Sequence, residues 1–313
     1  MPIALHLSTM THSIDRRSFI GAGLCAAALP SLAFGRAAPA FSSTKLHDDI
    51  WLIAGAGANV VAVKSRDGVA LVDGGLAANS DALLSYIASE FSSRPVNTLF
   101  NTHWHPEQTG SNARLGNAGA KIVAHENTRL WLRTQAPLPQ QPEQLYGPLP
   151  VNACPNDTFY TKGSITLADK RVDYGYLLQA HTDGDMYAFF RDANVLAAGG
   201  AVSSDRWPLV DWQTGGWIGG MANGLKSLVG LTDAGTKIAP ADGPVLTRAE
   251  LQAQAEMYAT IFGRLQKSLR QGLSPQEAVE LKPTKEFKPE WGNPDPFVEM
   301  AFKSLWGHFT PDA

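Results

Sequence analysis

Short apolar runs bounded by glycine or charged residues recur along this chain, and they constrain its fold more than any other feature. Ile50-Trp51-Leu52-Ile53, Asn59-Val60-Val61-Ala62-Val63 and Val69-Ala70-Leu71-Val72 come first. Each is the length of a strand and rich in β-branched residues. Asp73-Gly74-Gly75 closes the third run. Leu83, Leu84, Ile87 and Phe91 then fall at helical spacing, which predicts a helix over 81–91 with Asn79 or Ser80 as its cap. Strands are expected over 96–100 and 120–124, a loop over 102–112, and a short helix over 126–132. The five prolines between 135 and 150 predict a surface loop. Strand-like runs resume around Ile165 and over 172–178, 186–190 and 195–198. A long amphipathic helix is expected over 247–271, capped by Thr247. Two half-sheets, each covered by helices, would produce this order.

The N-terminus carries a separate signal. Arg16-Arg17-Ser18-Phe19-Ile20 is a twin-arginine pair, an Ala/Gly-rich apolar run extends to about Phe34, and Ala38-Pro39-Ala40 supplies small residues for cleavage. The run is short against the roughly 20 apolar residues that span a bilayer. The expected organisation is therefore a twin-arginine signal peptide over 1–40 and a mature periplasmic domain over 41–313. The mature part would include a C-terminal helical extension and no transmembrane segment. Cleavage removes three arginines and one aspartate and takes the formal net charge from −3 to −5. Cys154 is then the one cysteine left, so no internal disulfide can form. No basic stripe interleaved with aromatics is present, so nucleic acid is not expected as a partner. Hydrophobic residues at 44% allow a substantial core.

Six histidines lie beyond residue 40: His47, His103, His105, His125, His181 and His308. Two of them stand in Asn101-Thr102-His103-Trp104-His105-Pro106-Glu107-Gln108-Thr109-Gly110, directly after an apolar strand. Histidines two apart on an extended segment can aim at one point, and neutral imidazole is the commonest zinc ligand. A solvated loop pair would show the same His-x-His spacing.

The segment resembles the His-x-His-x-Asp-His signature of the metallo-β-lactamase superfamily. Val72-Asp73-Gly74-Gly75 is similar to that family's strand-ending Asp-Gly. Ala180-His181-Thr182-Asp183-Gly184-Asp185 is similar to its Gly-His-Thr-x-Gly segment, Asn194 to Gly200 to the strand leading to its metal-bridging carboxylate, and Ile238 to Pro244 to its Pro-Gly-His-Gly-Pro turn. The resemblance implies an α/β fold, an αββα sandwich of two mixed sheets flanked by helices. It also implies one zinc per chain, held by His103, His105 and His181.

The departures are specific. Where the family places its second-metal ligands, this chain has Glu107, Gln108, Gly200 and Asp242. Gly200 has no side chain, and two carboxylates without imidazole suit zinc poorly, so the second site is expected to be lost by side-chain replacement. Gln108, Asp242 and Asp73 remain candidates for a weak second cation or for supporting the ligands from behind. Glu107 falls where the family places the aspartate that orients the nucleophile. It is the expected catalytic residue, or else it only steadies a ligand histidine. A zinc held by three imidazoles lowers its water's pKa to about 7. The expected function is therefore a zinc-hydroxide hydrolase of a small acyl compound such as an ester, lactone, thioester or β-lactam. The alternative is a non-catalytic metal- or ligand-binding protein on the same fold. An iron oxygenase is disfavoured because Gly200 removes the aspartate it would need. Trp104, Trp207 and Trp212 could wall a substrate pocket, or could equally be core residues. His125 is expected to be structural, His47 and His308 to lie on the surface, and Asp211 to hydrogen-bond locally.

Overall fold

Along Val60-Val61-Ala62-Val63, successive side chains leave opposite faces of a sheet, and both faces are buried. Val60 and Ala62 pack with Leu83, Ile87 and Leu115. Val61 and Val63 pack with Met186, Ala188 and Phe190. A strand apolar on both faces lies between two layers, and this alternation builds the whole molecule.

The structure is a computed structural model that describes residues 40–309. Arg16-Arg17 and the apolar run after it lie outside the described residues. Strands β1 (Ser42–His47), β2 (Ile50–Ala54), β3 (Val60–Ser65) and β4 (Gly68–Val72) form an antiparallel meander. Helix α1 (Ser80–Glu90) leads to β5 (Val96–Phe100), which pairs parallel to β4. Two short helices, α2 (Pro106–Thr109) and α3 (Asn112–Asn117), precede β6 (Lys121–His125), and α4 (Glu126–Leu132) follows it. A hairpin of β7 (Ala136–Leu138) and β8 (Gln141–Tyr146) comes next, and β9 (Asp157–Phe159) completes a seven-stranded sheet in the order β1-β2-β3-β4-β5-β6-β9. The second sheet has the order β10 (Lys162–Leu167), β11 (Lys170–Tyr176), β12 (Met186–Phe190), β13 (Val195–Ser203), β14 (Lys237–Asp242), antiparallel except for the last pair.

Apolar side chains of the two sheets meet in a shared core, where Ile50, Val61, Val72 and Phe100 face Val172, Phe190, Val195 and Ala239. The outer face of the first sheet is covered by α1 and α3 through Leu83, Ile87 and Leu115. The outer face of the second is covered by α5 (Ile218–Leu231), α6 (Arg248–Arg270) and α8 (Asp295–Phe309), with α7 (Pro275–Glu280) linking the last two. The architecture is an αββα sandwich. Thr247 starts α6 with a capping box: its hydroxyl accepts from Glu250 N–H while the Glu250 carboxylate accepts from Thr247 N–H. Among the described residues no helix is long and apolar enough to cross a membrane.

Two expectations are corrected. The proline-rich stretch read as a loop contains the β7–β8 hairpin. Each strand of a two-stranded ribbon has an outer edge with no hydrogen bond to lose, so Pro137 and Pro142 are tolerated there. The ribbon is seated on a separate apolar cluster of Trp104, Leu132, Ala136 and Cys154, flanked by Leu138 and Tyr146. The segment over 102–112 also contains α2 and the start of α3.

Candidate metal centre

The loop after β5 is fixed by its own polar side chains. Asn101 Nδ2 donates to Gln108 O (3.1 Å) and to Asn112 Oδ1 (3.0 Å), while Asn112 Nδ2 donates back to Asn101 Oδ1 (2.8 Å) and to Ala153 O (2.9 Å). Thr102 N–H and Oγ1–H both donate to Asp73, at 2.8 and 2.9 Å. His105 is extended (φ −61°, ψ 154°) and caps α2, whose first residue is Pro106. His103 and His105 share a face of this bent loop, and Trp104 enters the apolar cluster beneath the hairpin.

His181 joins them from the loop after β11. All three rings are buried, at 1%, 5% and 4% exposure. One ligand atom from each lies within 4.8 Å of the others, and this is the group of three that the described residues bring together. Ring centroids are 4.6–4.9 Å apart, with planes nearly perpendicular. Two of the rings are held on their far side, and the third faces a carboxylate without a hydrogen bond to it. His103 Nδ1 is 3.1 Å from Thr102 Oγ1, which leans on Asp73. His105 Nε2 is 3.1 Å from Asp211 Oδ2. His181 Nδ1 is 3.4 Å from Asp185 Oδ1, and the other oxygen of Asp185 accepts from Thr182 N–H. Outer partners of this kind fix the orientation of a ligating imidazole and raise its basicity.

The electrostatics follow from burial. Burial, reinforced by the neighbouring imidazoles, holds His103 well below its usual pKa and so keeps it neutral. Burial also works against the charged form of His181, but Asp185, Asp211 and Asp242 outweigh it and raise its pKa. Burial pushes the carboxyl of Asp73 up to about 8 despite its two hydrogen bonds from Thr102. Burial alone would raise Asp211 too, but His105 and Thr214 bring it below its ordinary value. Three buried imidazoles, two of them hydrogen-bonded from behind, fit a divalent transition metal by donor type.

The histidines open into a pocket. Glu107, Gln108 and Asp242 line it, together with Trp207, Pro208, Leu209 and Arg206, and Leu138 to Gln141 of the hairpin overhang it. Glu107 and Asp242 therefore face the site without joining the cluster of three. Arg206 lies 3.7 Å from Asp242. Burial raises Asp242, Arg206 works against that, and Asp205 and Glu107 add to it. Gln108 is 4% exposed, and its Oε1 has no hydrogen-bond partner.

The tryptophans divide. Trp207 lines the pocket. Trp104 does not: it is fully buried beneath the hairpin and donates from Nε1 to Thr214 Oγ1 at 3.1 Å. Trp212 is 40% exposed and lies outside the pocket lining. His125 caps α4, accepting from Asn127 N–H, and its Nε2 lies 3.0 Å from Tyr160 O. His47 is exposed. His308 is part-buried and stacks on Trp217 at 3.9 Å.

Sequence reasoning misses Asp185 and Asp211 as neighbours of the ligands. Asp185 is four residues from His181, a spacing the sequence does display. Asp211 reaches His105 across 106 positions, and no local pattern signals that contact. Asp211 also accepts from Thr214, as a local partner should, so Trp104, Thr214, Asp211 and His105 form one chain of hydrogen bonds. Asp211→Ala should weaken metal binding about 10- to 100-fold, as removal of such partners does elsewhere. Titration against a competing chelator measures this, and an unaltered affinity would leave Asp211 with a role in the loop alone.

The family model of the metallo-beta-lactamase superfamily matches residues 54–254, more than half of the chain. The chain belongs to the metallo-β-lactamase superfamily. Among solved structures it is similar to a metallo-beta-lactamase from Pontibacter korlensis, with TM-score 0.57 and 17% identity over 70% of this chain and 99% of that one. It is also similar to the DIM-1 metallo-beta-lactamase, at TM-score 0.57 and 16% identity over 71% and 98%. The stereoselective inverting sec-alkylsulfatase Pisa1 from Pseudomonas sp. aligns at TM-score 0.63 and 12% identity, over 87% of this chain and 51% of that one. This chain therefore spans about half the length of the sulfatase. Identities this low show a shared fold.

Proposed function

We propose that the protein is a hydrolase that holds one zinc ion with His103, His105 and His181 and acts on a small acyl compound. The observation that carries this reading is the triad itself: three buried imidazoles converge at the floor of an open pocket, with Thr102 and Asp211 bonded to two of them and Asp185 facing the third. A divalent cation held there supplies Lewis acidity and brings the pKa of a water toward neutrality. The rest is the work of the chain. Asp73 through Thr102, and Asp211 directly, keep the imidazoles oriented. Glu107, which lines the pocket two residues beyond His105, accepts the proton of the attacking water and returns it to the leaving group. Trp207, Pro208 and Leu209 offer an apolar wall to the substrate.

Esters, lactones, thioesters and β-lactams are the substrates to try. A secondary alkyl sulfate belongs in the same panel because of the sulfatase likeness. Turnover of at least one class that disappears with zinc removal and returns with its addition supports the reading. Zinc-loaded protein that binds members of the panel without converting them would favour the non-catalytic alternative.

We also propose that residues 1–40 are a twin-arginine signal and that the protein works in the periplasm. The support is Arg16-Arg17 with Ala38-Pro39-Ala40. The mature N-terminus should lie at or near Phe41, and changing both arginines to lysine should retain the precursor in the cytoplasm. Exported material whose sequence begins before Ile20 would contradict this.

A further inference from the structure

Strand β13 reaches the histidines through an irregular stretch. Its pairing with β14 shifts between Ala197 and Gly199, and again between Gly199 and Ser203. Two glycines stand there. Gly199 has the left-handed backbone (φ 65°), which accounts for glycine by conformation. Gly200 is not among the positive-φ glycines, so conformation does not explain it. Space does. A Cβ at Gly200 would lie 2.7 Å from His181 Nδ1, 2.8 Å from His181 Cε1 and 2.8 Å from His103 Cε1. Favourable contact between such atoms needs about 3.5–4.0 Å.

The rings have little freedom to yield. Both are buried, His103 is held behind by Thr102, and His181 faces Asp185. The place a bridging carboxylate would start from already lies against the rings of the first site.

We propose that Gly200 is a positioning residue: its bare Cα lets His103 and His181 close on a single cation, and any side chain there displaces them. This rests on the reading of the three histidines as a metal centre, and it extends that reading to the count of ions. Restoring aspartate at 200, with Glu107→Asp, Gln108→His and Asp242→His, should then cost the first zinc instead of adding a second.

The test compares wild type, Gly200→Ala and Gly230→Ala. A Cβ at Gly230 meets nothing within 4 Å, so that variant should match wild type. Gly200→Ala should bind zinc about 10- to 100-fold more weakly, the range seen when the orientation of ligands is disturbed. The visible spectrum of its cobalt-substituted form should change as well. Wild-type affinity with a wild-type cobalt spectrum would overturn the proposal.

A metal-free arm separates this inference from the metal-centre reading. Without metal, Gly200→Ala should lower the melting temperature, and most of that loss should vanish in a His103→Ala/His181→Ala background, where the rings are gone. Equal losses in both backgrounds would overturn the proposal, even in a protein that binds no zinc. If Gly200→Ala does not fold, recovery of folding in that background supports the proposal, and failure to recover overturns it.

Discussion

Glu107→Gln should keep its zinc and lose turnover by a factor on the order of 10²–10⁴, the usual contribution of a positioned acid–base group. Gln has nearly the shape of Glu and keeps an oxygen facing the pocket, but it cannot take up a proton at neutral pH. Glu107 is suited to the role because its carboxylate faces the pocket free of the fixed partners that occupy Asp73 and Asp211. Zinc content should be unaltered because Glu107 is not part of the cluster of three. The loss should therefore fall on kcat and leave binding of the metal untouched. Unchanged turnover in a zinc-loaded variant would assign Glu107 to the pocket wall.

His181→Ala should release most of the zinc and abolish turnover. Two ligands remain, both from one loop, and a divalent ion held by two imidazoles exchanges readily with solvent. The variant also removes the imidazole that stands 3.4 Å from Asp185 Oδ1, so this buried carboxylate keeps only its Thr182 N–H bond, and a buried acceptor with a partner lost destabilises its surroundings. Metal analysis after dialysis, with circular dichroism as a check on folding, measures the outcome. A folded His181→Ala protein that retains a full equivalent of zinc would remove His181 from the ligand set.

Strands buried on both faces were legible because their apolar runs are continuous. The expected strand over 96–100 matches β5, and the expected helix over 126–132 matches α4. β1 was not legible: it lies at a sheet edge with Leu46 as its one buried side chain, too little for an apolar pattern. The hairpin was hidden by its prolines, and its anchor, Trp104, by the company of two histidines. The bend that brings His103 and His105 together leaves Trp104 in the cluster beneath the hairpin. The three histidines carry a motif and could be named. Of their supports, Asp73 could be named from its motif and Asp185 stands at a spacing the sequence displays, but Asp211 could not, because it reaches His105 across 106 positions. The absence of a side chain at 200 was visible, but the two buried rings within 2.8 Å of where a Cβ would stand belong to the packing.

The central claim is one metal centre built from three imidazoles, and the most direct measurement is the zinc content of dialysed, folded, monodisperse protein. The account predicts close to one zinc per chain, lost on His181→Ala and retained on Glu107→Gln. Protein that holds no zinc when loaded, or that keeps two after dialysis, would contradict it.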